Sequence, residues 1–449
     1  MAAKKTKFFK KNQIILLKHV LLFLGVIAVT QNFYPIGKDS YTGYHSSCHE
    51  LEDCSLIDNE FQRRIQQTSI NNICSENDNA TSILVGAFYY PWWREKNFVQ
   101  TKAEPYIGPY DTSNSVVISK HLAQAKRGGI DVLALEWTGP HPSDVSGDKI
   151  YTEYDIDKRL LMIIESIKKE FVEKKFQDER LFREIYLRRS PWGSYFIFYD
   201  QAIRMHQKYE YSIEKAYDFD NKIVYNTFVS DLIHIGKKYF DDIDYFRIDG
   251  KPVVWLYLSR VFKGNYEKAL KDVREAFDYR IYIIGDEIFN TIALDKAEKR
   301  IKNFDAIGCY GIGIDSMYYR DEANTKEIAD IAIPIYKKWF KYVSNLRNVM
   351  GNPIDFIWPV QPQYDDDHIK DRPLNGEFFC DSPEDFEYFL KRTKEAIDEL
   401  PNGKGIVFVT SFNEWYETTS VEASSIRGFP YRYNFGFDFL DILFKIFKK

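Results

Sequence analysis

The chain has 449 residues, 45% of them hydrophobic and 28% charged, and its 61 basic and 66 acidic residues give a net charge of -5. This composition is that of a folded globular protein and excludes a largely disordered chain. The nearly balanced charge argues against a nucleic-acid partner, because such a partner requires a basic surface.

The first 30 residues carry the features of an export signal. Residues 1–18 contain six lysines and no acid, and the apolar run Val20–Val29 follows them. A run of this length is typical of a signal peptide, the lysines equally fit a short membrane anchor, and a buried helix is the third interpretation. The first two predict a secreted, periplasmic or ER/Golgi-lumenal protein, with membrane attachment through residues 14–30 if the segment is retained.

Residues 31–80 are polar and rich in Gly, Ser, Asn and Asp, and we expect them to form a stem ahead of a main domain, residues 81–449. The stem ends near an N-glycosylation sequon, Asn79-Ala80-Thr81. The five cysteines lack the spacing of a zinc site, and their pairing stays open, with Cys48–Cys54 one plausible disulfide. The other three are Cys74, Cys309 and Cys380.

In the main domain, short apolar runs rich in β-formers alternate with longer amphipathic runs, which is typical of a parallel sheet with helices outside it. Eight strands favour a closed (β/α)8 barrel of the TIM type over a doubly wound sheet, which fits about six strands and a Gly-rich turn after the first. The predicted strands are Ile83–Tyr90, Ile130–Trp137, Tyr195–Asp200, Pro252–Tyr257, Ile281–Asp286, Ala306–Tyr310, Phe356–Pro359 and Ile406–Ser411. The predicted helices are Ser115–Arg127, Lys158–Phe171, Ile223–Tyr239, Tyr266–Phe277, Ala297–Asn303, Thr325–Val343 and Pro383–Leu400, with an inserted rim helix over residues 173–193.

The carboxyl ends of barrel strands are where active sites collect. Here seven of the eight ends carry an aromatic residue and several carry a carboxylate, a combination that suits a neutral polyol such as a sugar. These ends comprise residues 89–93, Glu136-Trp137, Tyr199-Asp200, Tyr257, Asp286-Glu287, Tyr310, residues 361–365 and residues 413–417.

Two acids, Glu414 and Glu417, follow the last strand at a spacing of three residues. Because Thr418 and the two residues after it break the strand, we expect a turn in which both carboxyl groups share one face. Glycoside cleavage needs such a pair, one carboxyl protonated and the other ionised. A rival pairing joins Glu414 with Asp286 or Glu287 on the fifth strand.

Other reactive side chains favour structural roles. His121 and His234 lie in predicted helices and are expected to be structural or solvent-facing, and no Gly-x-Ser-x-Gly elbow supports a serine nucleophile. The segment Asp365-Asp366-Asp367-His368 is predicted to be an exposed acidic loop. It is also the single candidate for the Asp-x-Asp metal motif of a nucleotide-sugar enzyme.

The sequence resembles glycoside hydrolase family 99, the endo-α-mannosidase family, over about residues 81–425. The most specific element is the signature Thr-Ser-Phe-Asn-Glu-Trp-Tyr-Glu at residues 410–417, with Glu422 beyond it. Further similar stretches are residues 87–92 (Ala-Phe-Tyr-Tyr-Pro-Trp), 108–111 (Gly-Pro-Tyr-Asp), 118–121, 129–137 and 304–310.

This resemblance implies a (β/α)8 fold and retaining hydrolysis without a metal or other cofactor. It assigns Glu414 as the base that deprotonates the 2-hydroxyl of the sugar, which then attacks to give an anhydro-sugar. Glu417 is then the general acid and afterwards the general base. It implies that Tyr90, Trp137 and Tyr310 line the sugar subsite. We add Trp92, Tyr199, Gln361, Asn413 and Trp415 as substrate-binding candidates from the strand ends.

The sequence also departs from that family. The third strand lacks a His-x-Glu pair, Tyr416 stands where the mannosidases have His, Thr418 where they have Gly, and residues 359–364 lack a family glycine. These departures resemble family-99-like proteins found among polysaccharide genes, some of them labelled glycosyltransferases. We therefore expect an endo-acting retaining α-glycosidase on a glycan or polysaccharide, with an α-mannoside-like linkage favoured. A glycosyltransferase and a non-catalytic carbohydrate-binding barrel are the alternatives.

Overall fold

The computed structural model describes residues 83–140, 156–175, 194–290, 294–312, 323–366, 369, 377–400, 403–425 and 434–449. The predicted signal or anchor, the stem, the sequon, Asp367 and His368 lie outside these residues, as does most of the predicted rim helix. Export and membrane attachment therefore stay predictions. Within the described ranges, no helix is both long enough and apolar enough to cross a membrane.

Eight parallel strands form a closed barrel. Each strand pairs with its neighbour in chain order, and the first strand pairs with the last through a register that sets Gly86 opposite Phe408. The predicted (β/α)8 fold and all eight predicted strands are confirmed, with ends that differ by at most two residues. The strands are β1 (Leu84–Tyr89), β2 (Val132–Trp137), β3 (Ser194–Tyr199), β4 (Lys251–Leu256), β5 (Tyr282–Asp286), β6 (Ala306–Gly308), β7 (Asp355–Val360) and β8 (Ile406–Val409). A short strand, Arg247–Ile248, pairs antiparallel with β4, and Ala323–Asn324 pairs with Phe378–Phe379.

Helices pack outside the barrel, and the seven predicted between strands are confirmed. Three others were not predicted: Gln201–Tyr209 is short and mostly polar, and Ile213–Ala216 is a single turn. The third, Asp438–Phe447, carried a signal that the sequence analysis missed, because its polar residues Asp438, Asp441 and Lys445 recur at helical spacing in an apolar run. The helices are α1 (Ser115–Arg127), α2 (Ile156–Lys175), α3 (Gln201–Tyr209), α4 (Ile213–Ala216), α5 (Lys222–Tyr239), α6 (Tyr266–Ala276), α7 (Leu294–Ile301), α8 (Thr325–Ser344), α9 (Pro383–Asp398) and α10 (Asp438–Phe447). Two 3-10 helices cover Glu95–Gln100 and Ser259–Val261.

Side-chain caps set the starts of several helices. The side chains of Asn114, Asn221 and Asn324 accept hydrogen bonds from backbone N–H groups in the first turns of α1, α5 and α8. At α9, Ser382 forms a capping box with Asp385. Each cap pairs a donor that the helix itself leaves unsatisfied, which fixes where the chain turns from loop to helix.

The barrel interior is filled by aromatic rings around Phe88. Its ring centroid lies 4.8 Å from that of Phe198, 4.9 Å from Trp255 and 5.2 Å from Phe408. Glycine leaves room for these rings, since a Cβ placed on Gly86 would lie 2.3 Å from the Phe408 ring. The lower barrel is therefore a packed core, and a ligand can enter only at the carboxyl ends of the strands.

We expect Gly86→Ala to destabilise the protein by about 1 to 3 kcal/mol, the usual cost of overpacking a core. The new methyl group has no space unless the Phe408 ring shifts. Gly311→Ala is the control, because the nearest atom to its added Cβ lies 3.8 Å away. Urea unfolding of both variants measures the difference, and equal stabilities would contradict this account of the core.

Candidate active site

Alternation along each strand decides which side chains reach the mouth of the barrel. Phe88 points inward, and so does Tyr90, two residues further along the chain. In the register of β1, β2 and β3, Glu136 and Asp200 occupy the corresponding inward-facing positions. Further around the barrel, Tyr310 joins this inner face, since its ring lies 5.1 Å from Phe88 and 5.2 Å from Tyr257. The described mouth is thus lined by tyrosines and carboxyl groups.

The loop after β8 is a hydrogen-bonded turn that carries Glu414 and Glu417. The Glu414 backbone N–H donates to Ser411 Oγ at 2.7 Å, and the Tyr416 N–H donates to Glu414 Oε1 at 2.9 Å. Thr418 closes the turn with φ at 54°, in the left-handed region that favours glycine. The turn predicted from the sequence is confirmed, and both of its acids act electrostatically on Tyr90 and Tyr310.

Tyr90 and Tyr310 form a chain of hydrogen bonds that ends on Glu417. Tyr90 donates to the Tyr310 hydroxyl at 2.5 Å, and Tyr310 donates to Glu417 Oε2 at 3.3 Å. Burial raises the pKa of both phenols well above its ordinary value, and the nearby Glu414 and Glu417 raise the pKa further. Both tyrosines therefore stay protonated and act as donors at the mouth.

Asn413 and Gln361 brace this arrangement through the backbone. Asn413 Oδ1 accepts from the Tyr90 N–H at 2.8 Å, and its Nδ2 donates to the Tyr90 carbonyl at 3.0 Å. Gln361 Oε1 accepts from the Ile312 N–H at 3.0 Å, while its Nε2 donates to the Gln363 carbonyl at 3.2 Å. These bonds make both residues positioning residues for the loops that carry the tyrosines and acids.

Trp137 and Tyr199 are not brought to the mouth, contrary to the expectation that they line a sugar subsite. Both occupy the alternate positions of their strands and face the helices. Trp137 Nε1 donates to Asp157 of α2 at 2.9 Å, and the Tyr199 hydroxyl donates to Asp231 of α5 at 3.1 Å. Their rings fill the layer between barrel and helices.

The other two tryptophan candidates differ in position. Trp92 is half-buried at the mouth, where its ring stacks on Tyr416 at 5.7 Å with an interplanar angle of 14°, and its indole donates to Glu136. Trp415 is buried behind the turn, and its Nε1 donates to Glu422 Oε2 at 3.1 Å. Trp92 can therefore meet a ligand, whereas Trp415 anchors the turn.

Glu422 is the centre of a buried network beneath the turn. Its Oε2 accepts from the Tyr110 hydroxyl at 2.7 Å, and its Oε1 lies 3.1 Å from His121 Nε2. His121 Nδ1 in turn shares a hydrogen bond with the Tyr89 hydroxyl at 2.8 Å. This network joins the turn to β1 and α1, and it confirms the predicted structural role of His121.

The rival acids at the mouth are already held in ion pairs. Asp286 pairs with Arg260, and Glu287 receives two hydrogen bonds of 2.6 Å from Arg300. Because Asp286 and Glu287 already have basic partners, the pairing of Glu414 with Glu417 is better supported than a pairing of Glu414 with an acid of the fifth strand.

The Asp365 segment is not the exposed acidic loop that the sequence predicted. Asp365 and Asp366 are both buried, because Lys102 donates to the two oxygens of Asp365 at 2.5 and 2.6 Å and the Tyr364 hydroxyl donates to Asp366 at 2.6 Å. Among the described residues, His, Cys, Asp and Glu form no group of three or more that could hold a metal ion. Because Asp367, the third residue of the candidate Asp-x-Asp motif, lies outside the described residues, that motif stays a prediction.

Glu136 is a site residue to which the sequence analysis gave no role. It is fully buried, and its Oε2 has no hydrogen-bond partner among the described residues. Burial raises its pKa well above the ordinary value, and Asp200 and Glu414 raise the pKa further. Burial likewise raises the pKa of Asp200 to about 7. The available signal was a charged residue in the otherwise apolar strand Val-Leu-Ala-Leu-Glu-Trp.

We expect Glu136→Gln to stabilise the protein more at pH 8 than at pH 5. A carboxyl whose pKa is raised by folding stabilises the folded state only while protonated, so wild-type stability falls as pH rises above the unfolded value near 4.5. The amide cannot ionise, and the gain at pH 8 should reach about 1 to 3 kcal/mol, the usual cost of leaving a buried polar group without a partner.

Thermal unfolding at the two pH values measures this effect. Glu287→Gln is the matched control, because it removes a buried acid that has an ion-pair partner and should lower stability at both pH values. A Glu136→Gln variant that is less stable than wild type at pH 8 would contradict the assignment of Glu136 as an uncompensated buried acid.

Solved structures with the same architecture include two glycoside hydrolase-type proteins. The family 99 endo-α-mannosidase from Bacteroides thetaiotaomicron matches with 16% identity and a TM-score of 0.52, over 81% of this chain and 97% of that one. A glycoside hydrolase-like protein matches with 17% identity and a TM-score of 0.57, over 85% and 99%. At this identity the likeness shows the fold, which is the (β/α)8 barrel that the resemblance to family 99 implied.

Sequence comparison gives the family. No curated protein matches the chain. The model of the family described as "Glycosyltransferase WbsX" matches residues 193–433, which include β3 to β8 and the turn with Glu414 and Glu417. Since this match spans more than half of the 449 residues, the chain belongs to the WbsX family and has the barrel fold of the family 99 endo-α-mannosidases.

Proposed function

We propose that the protein is a retaining, endo-acting α-glycosidase that cleaves a glycan or polysaccharide with Glu414 and Glu417. The observation that carries the proposal is the pair of buried carboxyl groups on one turn at the mouth of the barrel, where Tyr310, itself bonded to Tyr90, donates to Glu417. Both acids are about 95% buried, and such shielding is what lets two nearby carboxyl groups hold different protonation states.

The first step would form an anhydro-sugar. Glu414 accepts the proton of the sugar 2-hydroxyl, and that oxygen attacks C1 as the bond from C1 to the leaving oxygen breaks. Glu417 donates its proton to the leaving oxygen. Tyr310, which donates to Glu417, would orient that carboxyl group toward the leaving oxygen.

The second step restores the enzyme. Glu417 takes a proton from water, whose oxygen attacks C1 and opens the three-membered ring. Glu414 returns its proton to the 2-oxygen. Two displacements at C1 retain the configuration, and each step balances without a metal or an external oxidant.

For the substrate we favour an α-linked mannoside or a related α-linked sugar. The half-buried Trp92, which stacks on the buried Tyr416, offers a flat aromatic face that suits the apolar face of a sugar ring. The structural neighbour from Bacteroides thetaiotaomicron is an endo-α-mannosidase. This chain has Phe198 and Asp200 in the region where that family carries its His-x-Glu pair, so its sugar preference need not be the same.

We expect Glu417→Gln to lower hydrolysis at least ~100-fold with no loss of folding, because the amide cannot protonate the leaving oxygen. The measurement is a screen of α-mannan and other α-linked polysaccharides with wild type and variant side by side. Glu298→Gln on the outer helix α7 is the control and should keep full activity. A Glu417→Gln variant with nearly wild-type turnover would refute the assignment.

A glycosyltransferase is the second candidate, because the family description favours it. In that reaction the same two acids would serve a sugar acceptor in place of water. The two functions separate by product analysis: a transferase consumes a nucleotide-sugar and extends an acceptor glycan, whereas a glycosidase shortens the polysaccharide in buffer alone. Transfer without hydrolysis would overturn the proposed function, and binding without either reaction would identify a carbohydrate-binding barrel.

A further inference from the structure

The backbone at Glu417 is held by one residue of the loop after β7. The Asp365 N–H donates to the Glu417 carbonyl at 3.0 Å, and the Asp365 carbonyl accepts from Thr418 Oγ1 at 3.0 Å. Asp365 therefore binds two consecutive residues of the turn. A movement of Asp365 would be passed directly to the backbone that carries the Glu417 side chain.

Thr418 adopts a conformation that needs support from its surroundings. Its φ is 54°, in the left-handed region, where a β-branched residue is an outlier that persists only when neighbouring contacts fix it. A cavity lies beside this residue, lined among others by Ala103, Gln363, Trp415 and Thr418. Close packing is missing on the cavity side, so the hydrogen bond to Asp365 is an important part of that support.

Asp365 is fixed in turn by an ion pair with Lys102 of the first loop. Lys102 Nζ donates to both carboxylate oxygens at 2.5 and 2.6 Å, and the Asp365 side chain is only 1% exposed. Removing the partner of a buried carboxylate leaves an uncompensated charge, which is strongly unfavourable. Lys102 thus allows Asp365 to stay buried beside the turn.

The segment that carries Lys102 is attached to the chain beyond the turn. The Tyr106 N–H donates to the Ala423 carbonyl at 2.7 Å, and the Ser425 N–H donates to the Glu104 carbonyl at 2.7 Å. Lys102 therefore links the chain that follows the turn to the loop that holds Glu417. The loops after β1, β7 and β8 are joined through this one ion pair.

We propose that the ion pair between Lys102 and Asp365 positions Glu417 for proton transfer, so that both of its members are positioning residues of the active site. This inference rests on the proposed function, because it takes Glu417 as the general acid. The contact of Tyr310 with Glu417 Oε2 at 3.3 Å depends on where the turn holds that side chain. A displacement of about 1 Å in a reacting group can lower turnover ~100-fold, whereas binding of the sugar at the aromatic mouth is left in place.

The test compares kcat and KM on an α-linked polysaccharide that the wild type hydrolyses. Lys102→Met keeps the length of the side chain and removes its charge, and it should lower kcat about 10- to 100-fold while KM stays within about 3-fold. Lys102→Arg restores a charged donor and should recover most of the lost turnover.

Lys448→Met is the matched control. Lys448 pairs with Asp131 at 2.5 Å and is 21% exposed, close to the 20% of Lys102, but this pair lies at the opposite end of the barrel. The control should lower the melting temperature and keep the kcat of the wild type.

A second variant and a second measurement keep the test decisive if Lys102→Met is unstable. The double variant Lys102→Met with Asp365→Asn leaves no unpaired buried charge and should show the same loss of turnover. Hydrogen exchange read by mass spectrometry reports the bond from the N–H of residue 365 to the Glu417 carbonyl. This N–H should exchange about 10-fold faster in both variants than in the wild type and in Lys448→Met.

The inference and the proposed function fail in different ways. Wild-type kcat in Lys102→Met, or a loss that Lys102→Arg does not recover or that Lys448→Met shares, overturns the inference and leaves the glycosidase in place. If the wild type cleaves no α-linked polysaccharide, the proposed function fails, and the exchange of residue 365 decides whether the ion pair holds the turn. Unchanged exchange at residue 365 overturns the inference in either case.

Discussion

Closure of the barrel is the constraint on which the rest of the structure depends. Once β3 pairs with β4 and β1 with β8, the register around the ring is set, and each strand can present only alternate side chains to the interior. Phe88 lies at the centre of the packed lower barrel, and two residues further on Tyr90 reaches the mouth. The same alternation sends Glu136 inward and Trp137 outward.

The turn that carries Glu414 and Glu417 depends on this frame through β1. Asn413 holds both backbone groups of Tyr90, and the Phe412 N–H donates to the Phe88 carbonyl at 2.8 Å. Below these bonds, the buried contacts of Glu422 with Tyr110 and His121 join the turn to the first helix. Glu414 and Glu417 are therefore carried by a loop whose position is set from two sides, as a preorganised acid pair requires.

Charge is distributed unevenly over this end of the barrel. Asp286, Glu287 and Asp365 each have a basic partner, and they stabilise loops. Glu136 and Asp200 instead lie beside each other and Glu414, and burial raises the pKa of both. Clustering of buried acids lowers the stability of the folded state, and proteins keep such clusters where binding or catalysis uses the charge. The matching family is described as a glycosyltransferase, whereas the fold is shared with a family 99 endo-α-mannosidase, and these two reactions differ both in the group that leaves C1 and in the acceptor that attacks it.

Local sequence patterns determined the eight strands, the main helices and the turn at Glu414, because strand alternation, helical periodicity and turn-breaking residues act over a few neighbours along the chain. They did not determine which of two adjacent strand-end residues faces the ligand. Trp137 and Tyr199 are attractive sugar-binding residues by type, yet strand register turns them toward Asp157 and Asp231 on the helices. The sequence predicted that Asp365 is exposed to solvent. In the folded protein it is buried, because Lys102, which lies 263 residues earlier in the chain, pairs with it. Glu136 could be recognised as a site residue only from its neighbours Asp200 and Glu414, which raise its pKa. The closed barrel brings these residues together, because pairing between distant strands is a property of tertiary structure alone.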